Sequence, residues 1–448
     1  MLPATSNSPG SHKDRSLHGD TANELHAPLL TRSTRLPFVL ITALFFLWAI
    51  PNNLNDVLIR QFMKTFEMDR LAAGLVQFAF YLGYFFLAMP AGFIMKRFGY
   101  KSGFVVGLAL FTLGAFLFWP AAVANSYVFF LTALFIIASG CSFLETASNP
   151  FIAQLGDPQS AARRLNLAQA FNPLGSITGV LVGTIFIFSS AELTPAQIAF
   201  KKAHHHYAAY LYAETLRVVN PYLALSVLTL AMLILIACIR FPANLTRTPE
   251  ECSAEHGSLR HLLGKPHFVM AVIAQFAYVG AQVGTWSYFI PYVVDYTPQQ
   301  NRGAGYLLTL SLVAFAAGRF FSAWLMRYIR PSLLMTLYCG INVLLVAVSV
   351  LAPGWMGVWA LVATSFFMSL MYPTIFAQGI RGLGEYAKIG GSILVMAIIG
   401  GALLPLIMGY MADRLASQSI AYLVPLVAYL WIGLYALSDW RILQKRSA

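Results

Sequence analysis

Twelve long apolar runs constrain this chain more than any other feature of it. They fall near residues 36–59, 71–95, 102–121, 127–153, 166–189, 220–239, 267–293, 304–327, 332–352, 356–379, 389–411 and 419–438. A helix rising about 1.5 Å per residue needs about 20 apolar residues to cross the ~30 Å hydrocarbon core of a bilayer. A soluble fold would also need about a quarter of its residues charged. Here 10% are charged and 58% hydrophobic, so lipid is the expected solvent. The fold class that follows is an all-α membrane protein with twelve transmembrane helices.

The formal net charge of +12 is a matter of distribution. With an even number of spans both termini lie on one side. That side collects about 20 of the 29 Lys and Arg residues, against about 8 on the other, as the positive-inside bias requires of a cytoplasmic face. The basic surplus therefore reads as topology, and a nucleic-acid partner is not expected. The polar stretch 1–35 has no short apolar core before a small-residue cleavage site, so it reads as a cytoplasmic tail rather than a signal peptide. Cys141, Cys238, Cys252 and Cys339 show no metal or disulfide spacing. Consecutive His204, His205 and His206 cannot all face one ion. No cofactor and no metal is expected, and no H-E-x-x-H or G-x-S-x-G constellation points to an enzyme.

The longest charged interruption, 240–266, divides the spans six and six. Faint echoes cross it: "GFIMKR" at 92–97 with "AWLMRY" at 323–328, Pro150 with Pro373, and Gly175 and Gly183 with Gly401 and Gly409. Their offsets stay near about 225 residues, which favours a duplicated six-helix unit. The expected organisation is a tail 1–35, an N-terminal half 36–239, a linker 240–266, a C-terminal half 267–440 and a tail 441–448. In such an architecture a solute cavity lies between the halves near the bilayer midplane.

Polar residues inside the spans are where function is expected, because a carboxylate there costs about 2.5–3.5 kcal/mol on insertion scales. In "FFLWAIPNNLNDVLIRQF" (45–62), Asn52, Asn55 and Asp56 recur at i, i+3 and i+4, with Trp48 one turn earlier. Asn53 points away from that stripe. The fourth span carries Ser142, Glu145 and Asn149; the fifth carries Asn166, Gln169, Asn172 and Ser176. In the second half aromatics replace amides, with Tyr278, Gln282 and Trp286 at steps of four and Ser365, Ser369, Tyr372 and Phe376 in the tenth span. Amides in membrane helices also serve as interhelical glue worth about 0.6 kcal/mol each, and Trp and Tyr also anchor at interfaces. That bland reading fits Asp56 and Glu145 least, since only Arg319 lies deep in any span as a balancing cation. Carboxyls that lose and regain a proton inside a membrane are what a proton relay requires. Amides match vicinal hydroxyls, carboxylates accept from them, and aromatic rings pack on the apolar face of a pyranose. The combination points to a sugar.

The loop "GFIMKRFGYKSG" (92–103) resembles the loop signature of the major facilitator superfamily through Gly92, Arg97, Gly99 and Lys101, with Lys96 in place of the acidic residue. The segments "FFLWAIPNNLND", "LETASNPF", "RLNLAQAFNPLGS", "QFAYVGAQVGTWSYFIPY" and "YPTIFAQGIRGLG" extend the likeness from about residue 38 to 440. Together they resemble the fucose–galactose–glucose:proton symporters of that superfamily, nearest to its L-fucose members. The resemblance implies a major facilitator fold of two six-helix halves and import of a hexose with a proton by alternating access. L-Fucose is the expected sugar; glucose, galactose and N-acetylhexosamines, or sodium-coupled and uncoupled carriage, are the alternatives. It implies proton coupling at Asp56 and Glu145, and sugar contacts from Trp48, Asn52, Asn53, Glu145, Gln169, Asn172, Gln282 and Tyr372. A monomer in the bacterial inner membrane, with both termini cytoplasmic, is expected. Two departures stand beside the site: Pro51, which removes a backbone hydrogen bond and should kink the first span, and Arg60, where the family has an uncharged residue.

Overall fold

Every regular element among the described residues is helical, and twelve helices are long and apolar enough to cross a membrane. The structure, a computed structural model, describes residues 34–155, 164, 167–189, 192–239, 262, 264–326, 328–381, 383 and 387–447. The polar tail through residue 33, Asn166, and residues 240–261 of the linker lie outside the described residues. The spans are α1 (Arg35–Thr65), α2 (Arg70–Met95), α3 (Tyr100–Val123), α4 (Tyr127–Asn149), α5 (Leu167–Ile187) and α6 (Tyr207–Cys238) in the first half. The second half has α7 (Pro266–Ser287), α8 (Asn301–Leu325), α9 (Pro331–Leu351), α10 (Trp355–Ile380), α11 (Ile393–Arg414) and α12 (Gln418–Asp439).

Local chemistry sets the ends of these helices. Asp69 caps α2 by accepting from the Ala72 amide at 2.7 Å, and Ser126 caps α4 through the Phe129 amide at 3.4 Å. The α2 helix stops at Gly99, whose φ of 80° is left-handed and favours glycine. Two residues on, Lys101 donates to the carbonyls of Ala237 and Ile239 at 2.7 and 2.9 Å. A cation there satisfies the orphan carbonyls at the end of α6 and ties the loop signature to that helix.

One expectation is corrected, the end of the seventh span. The helix through Pro51 runs as one piece of 31 residues, Arg35–Thr65. The sixth apolar run forms the helix Val219–Cys238 as expected, and a preceding helix, Tyr207–Leu216, extends the span across a turn at Arg217 and Val218. Glu214 accepts from Lys64 at 2.9 Å, and Arg217 donates to the carbonyls of Ile187 and Phe188 at the end of α5. The seventh span ends at Ser287; Tyr288 breaks the helix, and a separate short helix covers Phe289–Tyr296.

Equivalent glycines draw equivalent helices together in the two halves. In the first, a Cβ on Gly175 or Gly179 would strike the Phe46 or Ile50 carbonyl, so α5 lies directly on the backbone of α1. In the second, a Cβ on Gly400 would strike the Phe276 carbonyl and one on Gly280 the Gly400 carbonyl, so α11 lies on α7 in the same way. Small residues are what permit such approach in lipid, where packing rather than the hydrophobic effect drives helix association.

The start of α1 and the end of α12 lie at one end of the bundle, here the terminal end. At the opposite, distal end the halves are closed on each other. Gly74 of α2 faces the Tyr288 hydroxyl, Gly409 of α11 faces the Arg70 carbonyl, and Gly305 of α8 faces Thr184 of α5. Toward the terminal end the halves part around a vestibule of 870 Å³ with walls from α2, α4, α10 and α11.

Candidate functional site

A cavity of 210 Å³ lies between the halves, with walls from α1, α2, α4 and α5 on one side and α7, α8, α10 and α11 on the other. The sequence explains why α1 presents a polar wall here. At about 100° per residue, Asn52, Asn53 and Asp56 cover one arc of about 100°. Asn55 falls about 60° to the other side of Asn52. Accordingly Asn52, Asn53 and Asp56 line the cavity, whereas Asn55 is fully buried among protein. The stripe read from the sequence thus needs correction: Asn53 belongs to it and Asn55 does not.

Asp56, 3% exposed, is held by one oxygen. Its Oδ1 accepts from Gln77 Nε2 and from Ser287 Oγ, each at 2.9 Å, and Gln77 also donates to Ser287 Oγ at 2.8 Å. Gln77 belongs to the first half and Ser287 to the second, so the carboxyl sits in the seam. Glu145 lies at the other end of the cavity, where Tyr81, Tyr84 and Ile398 also border the vestibule. The two carboxyls therefore flank the cavity along its length, Asp56 toward the closed distal end and Glu145 toward the open one.

Between them the wall alternates amides and rings. Asn172 is brought to α1 by the glycine face of α5 and donates to the Phe45 carbonyl at 3.3 Å. Trp48 packs on Phe45 with ring centroids 4.4 Å apart. From the second half, Trp286 donates to Ser365 at 3.1 Å and sets its ring edge-on to Phe315. The Arg319 guanidinium lies 5.1 Å over the face of that same Phe315, with its buried Nε unpaired. Asn52 Oδ1 and the Tyr84 hydroxyl are likewise buried without a hydrogen bond of acceptable geometry among the described residues. Buried polar atoms left open on a cavity wall are available to a polar solute, and leaving them unmade is costly.

Eight of the nine residues expected at the site line this cavity: Trp48, Asn52, Asn53, Asp56, Glu145, Asn172, Gln282 and Tyr372. Gln169 does not. It is exposed and donates to Asn149 Oδ1 at 3.2 Å, and Asn149 borders the vestibule.

The distal seam is polar as well as close-packed. Arg70 pairs with Asp295, lies 3.8 Å from Asp413 and donates to Gln418 at 2.7 Å, all three from the second half. Asp413 also accepts from the backbone amides of Arg70 and Leu71 at 3.2 and 2.8 Å, placing a carboxylate on the N-terminus of α2. Arg60 donates to Asn301 Oδ1 at 2.7 Å, and Asn301 passes on a bond to Glu192. The departure noted at Arg60 is thus a contact between the halves.

A model of the Major Facilitator Superfamily matches residues 38–396. The L-fucose-proton symporter of Escherichia coli (strain K12) is 41% identical over 411 residues, covering 91% of this chain and 93% of that one. The glucose/galactose transporter of Brucella abortus is 34% identical over 399 residues, 89% of this chain and 92% of its own. The solved structure of the E. coli fucose:proton symporter superposes with a TM-score of 0.67 at 41% identity, covering 91% of this chain and 99% of that one. The chain belongs to the major facilitator superfamily. Within it, the chain is a member of the fucose–galactose–glucose:proton symporter family, whose members are transporters rather than enzymes.

Three polar wall residues and one buried partner of Asp56 escaped the sequence reading. Gln77, Tyr81 and Tyr84 recur at i, i+4 and i+7 on α2, the same one-face signal that was legible on α1 and α4. Ser287 carried no such signal, since its role depends on a partner in the other half.

Proposed function

We propose that this family member imports a single neutral hexose together with a proton, with L-fucose as its sugar. The observation that carries the reading is one cavity between the halves, bounded by two carboxyls and walled by amides and aromatic rings. Its 210 Å³ suits a monosaccharide and falls below the about 300–1,000 Å³ typical of sites for drug-sized ligands. On this reading Asp56 carries the proton, Glu145 couples proton and sugar, and Asn52, Asn172, Gln282, Trp48 and Tyr372 hold the sugar. Arg319 offers its unpaired Nε to a hydroxyl or ring oxygen. Asn53, tied to the Ala49 carbonyl at 3.1 Å, shapes the wall, and Gln169 meets the sugar on its way through the vestibule.

The terminal end carries the basic surplus, so we assign it to the cytoplasm. The closed distal seam and the open vestibule are then an inward-facing state, reached from an outward one by rocking of the two halves. The E. coli relative has been solved in an outward conformation. A second reading, transport of glucose or galactose, is favoured by the 34% identity to the Brucella abortus transporter. Uptake of labelled L-fucose into proteoliposomes, with unlabelled L-fucose, D-galactose, D-glucose and N-acetylglucosamine as competitors, separates the readings. Competition by L-fucose at least tenfold better than by the others supports the first; better competition by glucose or galactose supports the second.

A further inference from the structure

We infer that Ser287, together with Gln77, is a positioning pair that couples ionisation of Asp56 to closure of the distal end. Asp56, Gln77 and Ser287 are 3%, 1% and 0% exposed, so their bonds are made without competing water. The donors are fully accounted for. The two amide protons of Gln77 go to Asp56 Oδ1 and Ser287 Oγ, and the one hydroxyl proton of Ser287 goes to Asp56 Oδ1. Two of the three donor protons thus end on Asp56 Oδ1 and the third ties Gln77 to Ser287 Oγ, and no bond to Oδ2 is found among the described residues. Oδ2 is left as the atom at which a proton exchanges with the cavity that Asp56 lines.

Ser287 alone in this cluster comes from the second half, and it is the last residue of α7 before the break at Tyr288. The next residue, Tyr288, donates to the Arg70 carbonyl at 2.9 Å at the start of α2. Opening the distal end must draw this corner away from α1 and α2, and the Ser287–Asp56 bond with it. A charged carboxylate accepts such bonds about twice as strongly as a neutral acid. Formation of the ion and closure of the seam therefore favour each other. The other titratable or charged groups around the cavity are Tyr81 and Tyr84 from α2, Glu145 from α4, Tyr372 from α10 and Arg319 from α8, none of them bonded to Asp56. The transport meaning of this coupling rests on Asp56 as proton carrier; the cluster itself does not.

Hydrogen–deuterium exchange of the full-length protein in lipid nanodiscs tests it, read in peptides covering 66–72 and 287–300 at the distal end. Loss of one bond to a charged group should speed exchange there about tenfold or more in Ser287→Ala. In the Asp56→Asn background the same substitution should speed it by less than about threefold, because the acceptor is then neutral. Ser287→Thr keeps the hydroxyl and should stay within about threefold of the native rate. In transport, Ser287→Ala should lower the steady-state accumulation ratio while sugar exchange persists. Unchanged distal exchange in Ser287→Ala, or an effect equally large in both backgrounds, overturns the inference. Uphill uptake that survives Asp56→Asn refutes the proton-carrier reading instead, and the exchange cycle, which needs no transport, holds or fails separately.

Discussion

Replacing Arg70 by Ala should open the distal end by a calculable amount. The side chain makes a salt bridge to Asp295 and a charge-assisted bond to Gln418, both across the seam. Arg70 and Asp295 are 23% and 27% exposed at their side chains, so each contact is taken at about 1 kcal/mol, between the values for a solvent-exposed pair and a buried charge-assisted bond. The backbone bonds from Arg70 and Leu71 to Asp413 survive the substitution. The loss of about 2 kcal/mol corresponds to about a thirtyfold shift between closed and open distal ends. If the native protein is closed about 99 times in 100, the variant becomes open in roughly a quarter of molecules. Spin labels on Ala124 and Pro353, exposed distal positions in opposite halves, would report this by electron–electron distance measurement. A long-distance population rising from near zero to about a quarter is expected. An unchanged distribution would mean that Arg70 does not hold the seam and that the helix packing around Gly74, Gly305 and Gly409 closes it alone.

The carrier's chemistry yields further expectations. Asp56→Asn should abolish uphill sugar accumulation while sugar exchange across the membrane remains at least partly intact, measured with labelled sugar in proteoliposomes; equal loss of both would remove Asp56 from coupling. Asn172→Ala should raise the half-saturation concentration about tenfold or more, the cost of one unmade hydrogen bond in a closed site, and a change under twofold in uptake assays would place the sugar elsewhere. Gly179→Leu should lower the unfolding temperature of the purified protein by the equivalent of about 3 kcal/mol or prevent its folding, since no side chain fits against the Ile50 carbonyl; a variant as stable as the native protein would contradict the close packing of α5 on α1.

Much of this was legible in the sequence, for physical reasons that also mark where legibility stops. The twelve spans announce themselves because lipid demands long apolar helices. The helix Tyr207–Leu216 that precedes the sixth apolar run was hidden because Glu214 and Arg217 look like loop residues until Lys64 and the end of α5 are seen to pair with them. The walls on α1, α4 and α5 could be read from spacing within one helix, which is fixed by local geometry. Asn55 was misplaced because i, i+3 spacing defines a face only to within about 100°, and the neighbouring helix decides which edge of it meets the cavity. Ser287 and Arg60 carry meaning only through partners in the opposite half, and no period along one segment encodes those. Gln169 shares a motif with Asn172, yet the turn at Ala170 and Phe171 that opens the helix of Asn172 sets it on the exposed side.

On the proposed function, sugar and proton move together through one cavity. External pH, followed in lightly buffered, de-energised cells expressing the protein, reports that movement, with L-fucose, D-galactose, D-glucose and N-acetylglucosamine added in separate runs. Alkalinisation on adding L-fucose, and none in cells carrying Asp56→Asn, is the expected result. Labelled L-fucose entering the cells with no change of pH would contradict it.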